Sequence, residues 1–212
     1  GKGTLPTAKT TIIEQNVTIN ADASGTGDGG KVIVWADKST KFSGTITARG
    51  GADGGNGGFV ETSGKETLNV TKYAYVDASA RNGNGGAWLL DPHNVTLEQG
   101  VGGSDLDANS DAEQVDIAVL ETALDGGTDV TVTTGTTGSQ RGNITVVDTV
   151  NKTGGGDATL TLRAAGDIIF DDTNGGEAAG IDADAGALSV VLNADSNADL
   201  DGAVVLTDAV ID

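Results

Sequence analysis

The chain has 212 residues, among them 34 glycines, two prolines, no cysteine and no methionine, and it carries a formal net charge of −19. So few prolines exclude a collagen or a polyproline linker, and the lack of cysteine excludes a disulfide framework and thiolate chemistry. Hydrophobic residues make up 37% of the chain but aromatics only 3%, which suits a narrow core of Val, Ile, Leu and Ala.

The charge is uneven. Residues 1–100 hold 9 basic and 10 acidic side chains, whereas residues 101–212 hold 3 basic (Arg141, Lys152, Arg163) and 21 acidic. A polyanionic half repels nucleic acid and anionic lipid, so neither is an expected partner. No apolar run approaches the length of a membrane-spanning helix, so membrane insertion is not expected. No leader pattern opens the chain, and a first residue that is not Met reads as a fragment or a processed product.

In chain order, residues 1–10 read as a lead-in strand. Three glycine-rich turns follow at a fixed spacing: Gly27-Asp28-Gly29-Gly30, Gly55-Asn56-Gly57-Gly58 and Gly83-Asn84-Gly85-Gly86, 28 residues apart. Each is followed by an apolar run (Val32 to Trp35, Phe59-Val60, Trp88 to Leu90) and preceded by a short alternating segment (Val17 to Ile19, Gly44 to Ala48, Tyr75 to Ala78). A fixed period in this range marks a solenoid, whose units bury their apolar faces only against neighbours. A unit of strand, corner and strand predicts an all-β fold, a β-helix. Residues 1–98 are expected to hold the three 28-residue repeats, the third closed by the Asp91-Pro92-His93-Asn94 turn and followed by the strand Val95 to Leu97.

Residues 99–127 are an acidic loop and a helix. Ser110-Asp111-Ala112-Glu113 reads as a capping box, and Gly126-Gly127 as a stop, so the one short α-helix is predicted at 111–125, covering an end or a flank of the strands. Residues 128–212 return to strand period as an acidic continuation, with segments at 129–133, 143–147, 158–162, 166–170, 187–193 and 203–206.

The runs Gly30 to Asp37, Phe42 to Gly51 and Gly57 to Gly64 form one signature, extended by Val76 to Ser79 and Trp88 to Pro92. It resembles the large exoproteins of the filamentous haemagglutinin type, adhesins exported by two-partner secretion. The stretches Leu124 to Val132 and Gly142 to Val146 resemble what commonly follows in them. The resemblance covers most of residues 16–212. It implies a right-handed parallel β-helix, secreted to the bacterial cell surface, with adhesion as the role. Its implied partners are a glycan or protein on a host or neighbouring cell, and an outer-membrane transporter for export. It implies a shaft segment and not the amino-terminal domain that the exporter recognises.

Open ends of such a stack invite another chain, so end-to-end self-association is expected unless both ends are capped. A self-associating, calcium-dependent filament module is the alternative reading, and a carbohydrate-active enzyme is a second one.

Two acidic strings have the alternate spacing of a calcium loop, which wants six to eight hard oxygens. One is Asn197, Asp199 and Asp201 with Gly202 next and Asp208 at position 12, extended by Asp195. The other is Asp105, Asp107, Asn109 and Asp111, with Ser110 where the loop wants Gly. Calcium is the only cofactor these residues point to. The glycine corners precede strands and lack the Lys-Ser/Thr of a phosphate loop, so their reading is tight turns. His93 is the sole histidine, which leaves no transition-metal set and no Ser-His triad; beside Pro92 it reads as a surface loop residue. No catalytic constellation is visible, so the chain is not expected to be an enzyme. Trp35 and Trp88 occupy nearly equivalent places after the corners and read as core or interface residues. Asn16, Asn69, Asn94, Asn143 and Asn151 stand in Asn-x-Thr sequons, a pattern that Thr-rich strands produce freely.

Overall fold

The computed structural model describes residues 7–101, 113–135, 141–172 and 178–212. Short strands follow one another with glycine, asparagine and aspartate at the turns. The first nine are β1 (Thr10–Ile13), β2 (Thr18–Asn20), β3 (Lys31–Ala36), β4 (Ser39–Phe42), β5 (Thr45–Thr47), β6 (Phe59–Gly64), β7 (Thr67–Val70), β8 (Tyr75–Asp77) and β9 (Ala87–Asp91). Next come β10 (Val95–Glu98), β11 (Gln114–Asp116), the helix α1 (Ile117–Asp125) and β12 (Asp129–Thr133). The rest is β13 (Ile144–Val146), β14 (Thr149–Lys152), β15 (Ala158–Arg163), β16 (Ile168–Asp171), β17 (Gly180–Ala183), β18 (Leu188–Asn193), β19 (Val204–Thr207) and β20 (Val210–Ile211).

All pairings between these strands are parallel, and the chain visits three walls in rotation. The first wall is an eight-stranded sheet, β1-β4-β7-β11-β10-β13-β16-β19. The second is two three-stranded sheets, β2-β5-β8 and β14-β17-β20. The third is a six-stranded sheet, β3-β6-β9-β12-β15-β18. On the third wall Lys31 pairs with Phe59 and Phe59 with Ala87, so the sequence period of 28 is one strand step. Beyond the helix the step lengthens to 30, from Val130 to Leu160 and from Leu160 to Val190.

Because side chains alternate along a strand, a constant step stacks inward residues into columns. One column of the third wall is Val32, Val60, Trp88, Val130, Leu160 and Val190. On the first wall the column runs Ile13, Phe42, Val70, Val115, Leu97, Val146, Phe170 and Leu206. These columns merge into one apolar core from Val32 to Ile181. Each fully buried Val, Leu, Ile or Phe contributes about 1.5–3 kcal/mol relative to exposure. Trp88 is the one indole in a column, and its Nε1 donates to the Thr62 hydroxyl at 3.0 Å on the neighbouring strand.

The corners let one backbone approach the next. A Cβ on Gly57 would sit 1.7 Å from the Ala78 carbonyl oxygen and 2.3 Å from the Gly86 nitrogen. One on Gly29 would meet the Ala48 oxygen at 1.9 Å, and one on Gly58 the Gly30 oxygen at 2.1 Å.

The structure corrects the helix. Residues 114–116 are strand, and α1 begins at Ile117 with Asp116 as its N-cap, the carboxylate accepting the Ala118 N–H at 3.0 Å. Val115 takes a place in the first-wall column, which holds the segment extended up to the cap. The Ser110 to Ala112 part of the expected capping box lies outside the described residues. The helix packs between β8 and β14, continuing the second wall where a strand would otherwise stand. Its nine residues are too few to be stable alone in water; Ile117, Val119, Leu120, Ala123 and Leu124 anchor it in the core. The first wall also departs from chain order, since β11 lies between β7 and β10.

Replacing Gly57 by Ala is expected to destabilise the fold by about 2–3 kcal/mol, because backbone cannot yield as a side chain would. Gly156, with no atom within 4 Å of an added Cβ, is expected to accept Ala within about 0.5 kcal/mol. Urea denaturation of the two variants measures the difference; equal losses would show that the corners are not tightly packed.

Candidate functional site

Asp and Asn at the corners stitch one circuit to the next. The Asp28 carboxylate accepts the Asn56 N–H at 2.7 Å, and the Asn56 side chain accepts the Asn84 N–H at 2.9 Å. A second ladder runs from Asn94 to the Asn143 N–H, from Asn143 to the Asp167 N–H, and from Asp167 to the Ala203 N–H, at 2.8–2.9 Å. Asp129 takes the Thr159 N–H at 2.7 Å, and Asp125 takes the N–H groups of Thr153 and Gly154 at 2.9 Å. A charged acceptor makes these bonds stronger than neutral ones. Much of the acidity of the chain is therefore structural.

The string at Asn197 to Asp208 is folded on itself. The Asp195 carboxylate accepts the N–H groups of Asp199 at 3.0 Å and Leu200 at 3.1 Å. Asp199 accepts the Asn197 side-chain amide at 2.7 Å and the Asp201 N–H at 3.1 Å. Asp201 pairs with Arg141 at 2.8 Å. Asp208 stands past β19, at a left-handed φ of 51°. The oxygens of Asp195, Asp199 and Asp201 are turned to neighbouring N–H groups and to one guanidinium. Among the described residues no group of three or more His, Asp or Glu side chains has the arrangement to hold a metal ion. The string Asp105, Asp107, Asn109 and Asp111 lies outside the described residues. With its oxygens already engaged, the Asn197 to Asp208 loop is expected to give equal rises in melting temperature in calcium and in sodium of matched ionic strength, the signature of screening. A calcium-specific rise that Asp199→Asn removes would show a calcium site in this loop.

Other sequence candidates move. His93 is buried, 6% exposed, with its Nε2 unpartnered. The neighbouring Pro92 carbonyl accepts the Gly135 N–H at 3.3 Å, which lays a later segment over a turn that reads as surface. Trp35 and Trp88 are not equivalent: Trp88 points inward, opposite Val60, while Trp35 points outward, opposite Ser63. Of the five sequon asparagines only Asn16 is exposed.

The outward face of the third wall carries Ile33, Trp35, Phe59, Glu61, Leu89 and Asp91, with the Lys31 ammonium 4.8 Å above the Phe59 ring. Burial, with the Glu61 charge beside it, pushes the Asp91 carboxyl up. An open groove of about 560 Å³ runs along the corners past Asn84, Asp129, Asp157 and Ser189. Its two carboxylates are already bonded to backbone, Asp129 to Thr159 and Asp157 to Ala187 at 3.1 Å. A smaller pocket of about 280 Å³ holds Arg49, Arg81 and Ser79, with Arg49 clamped by Asp22 at 2.7 Å. Burial opposes ionisation of Asp22, but the side-chain and backbone hydrogen bonds from Arg49 outweigh it and hold that carboxyl low. Lys152 is wholly buried, and its ammonium donates to the carbonyls of Gly154 and Ala185. Most of these groups are braced by the fold. Comparison with known protein families and with curated proteins returns no match.

Burial raises the Asp116 carboxyl above its ordinary value of 3.8, against the opposing backbone bonds, that from Ala118 foremost. The folded state therefore keeps that proton to higher pH than the unfolded chain. Stability is expected to fall as pH rises from 3.8 through the raised value, and to stay at the lower level above it. Asp116→Asn keeps a capping oxygen and is expected to flatten this part of the profile. Asp116→Ala removes the cap and is expected to lose about 1 kcal/mol. Thermal denaturation across pH checks both; an unchanged slope in Asp116→Asn would assign the dependence to other groups.

Proposed function

We propose that this chain is a shaft segment of a secreted bacterial surface fibre of the filamentous haemagglutinin type, wound as a right-handed parallel β-helix. In this reading it is exported by the two-partner route and serves attachment or cell–cell contact. The observation that carries it is the fixed strand step: the 28-residue period is one circuit through the three walls, so the chain builds a rod whose length grows with residue number. Side-chain carboxylates serve that rod by accepting N–H groups between circuits, which suits a passive scaffold. The receptor chemistry is a glycan or protein on a host or neighbouring cell.

Beads coated with the protein are expected to adhere to epithelial cells or to bacteria of the producing strain above albumin-coated beads. The producing cell is expected to display the protein at its surface only while its outer-membrane transporter is intact. Retention in the cytoplasm of transporter-intact cells, or polysaccharide turnover that disappears with Glu61→Gln or Asp91→Asn, would overturn the proposal.

A further inference from the structure

Two of the glycine corners are a matched pair. Gly55-Asn56-Gly57-Gly58 and Gly83-Asn84-Gly85-Gly86 are the same four residues at the same place in successive circuits. Whatever sets Asn56 apart from Asn84 therefore comes from the fold. Both asparagines are exposed, so access of water does not separate them.

Bonding does. Each corner is tied to the one after it. Gly29 N–H donates to the Asn56 carbonyl at 2.8 Å, and Gly57 N–H to the Asn84 carbonyl at 2.9 Å. The Asp28 side chain accepts the Asn56 N–H at 2.7 Å, and the Asn56 side chain accepts the Asn84 N–H at 2.9 Å. This ladder stops inside the molecule, at α1. Residues 21–30, 48–58 and 78–86 join the second wall to the third in the first three circuits, but after α1 the link is only 126–128. The short link leaves the open groove of about 560 Å³, which Asn84 and Gly85 line with Gly126 and Gly127. Among the described residues the Gly85 N–H and the Asn84 side-chain amide make no hydrogen bond.

An asparagine followed by glycine is open to deamidation, because glycine has no Cβ to shield its nitrogen. The Gly85 nitrogen attacks Asn84 Cγ. A C–N bond forms to Gly85, the bond from Cγ to the amide nitrogen breaks, and that nitrogen leaves as ammonia with the proton that Gly85 gives up. The succinimide ring then takes up one water at either carbonyl and opens to aspartate or isoaspartate. At Asn56 the same step must first break two bonds, Gly57 N–H to the Asn84 carbonyl and Asn84 N–H to the Asn56 side-chain oxygen. Asn82 is also followed by glycine, but its amide nitrogen is held on the Ala52 carbonyl at 2.7 Å. The Asn174-Gly175 pair lies outside the described residues.

We infer that Asn84 is a site of spontaneous deamidation in the folded protein, selected over Asn56 and Asn82 by the end of the corner ladder. Aspartate suits this register position, since Asp28 fills it in the first corner. The new carboxylate stands at the groove that Asp129 and Asp157 also line. Isoaspartate reroutes the main chain through the former side chain, so the carbonyl that accepts the Gly57 N–H leaves the main chain and the third corner loosens from the second. The inference concerns this corner alone and does not rest on the surface-fibre reading.

Folded protein held in mildly alkaline buffer is digested at intervals, and peptide mass spectrometry with fragmentation reads the conversion of each asparagine. Asn84 is expected to convert about tenfold faster than Asn56, because two ordinary hydrogen bonds must open at Asn56 and none at Asn84. In guanidinium the two identical quartets are expected to convert at equal rates, which makes the fold the cause of the difference. A folded sample in which Asn56 keeps pace with Asn84, or in which Asn82 leads, would overturn the inference. So would an Asn84 that stays intact in the folded protein while the unfolded chain converts.

Discussion

Every circuit of this chain must bring its backbone back to within about 4.8 Å of the previous one, the spacing at which parallel strands bond. The corners are where that is hardest, because the chain turns there and a side chain would stand between two backbones. Glycine removes the obstacle. The corner then closes through main-chain bonds, such as Gly58 N–H to the Ala48 carbonyl at 2.7 Å and Gly86 N–H to the Ala78 carbonyl at 2.8 Å. With corners fixed, the step is fixed; with the step fixed, inward residues fall into columns. The core is a consequence of the corners, and a single added methyl at Gly57 acts on all of it.

The same constraint explains the acidity. At each turn some backbone N–H groups face the neighbouring circuit without a ladder partner. Asp and Asn are short, accept strongly, and stand well in turns. The ladders through Asp28, Asn56 and Asn84, and through Asn94, Asn143 and Asp167, use them in this way. A string such as Asp195 to Asp201, which looks like a cation site when written out, caps its own turn for the same reason.

The helix marks a place where the stack changes step. Sheet β2-β5-β8 stops at one side of α1 and β14-β17-β20 begins on the other. The helix keeps the apolar wall continuous, through Val119, Leu120 and Ala123, across a stretch where no strand stands. Asp116 makes the changeover possible, since its extended backbone ends β11 while its carboxylate caps α1. Its burial raises that carboxyl above its ordinary value.

The sequence alone determined the periodic part. Glycine at fixed spacing and alternation of Val, Ile and Thr encode strand, corner and step locally, so the parallel strands and the 28-residue register are legible in the residue order itself. It also determined that a helix follows the third repeat, because Val115 to Leu124 has a helical period and Gly126 a stop. Tertiary structure decided the rest. The inward column claimed Val115 and moved the helix start to Ile117, since burial outweighs a local capping signal. It turned Trp88 inward and Trp35 outward, because an odd offset along a strand reverses the face. It buried His93, and tied the neighbouring Pro92 carbonyl to Gly135, some forty residues on in sequence. It engaged the oxygens of Asp195, Asp199 and Asp201, because whether carboxylates converge on an ion or on N–H groups depends on backbone geometry that spacing does not carry. And it placed β11 between β7 and β10, a pairing across the sheet that no local pattern carries.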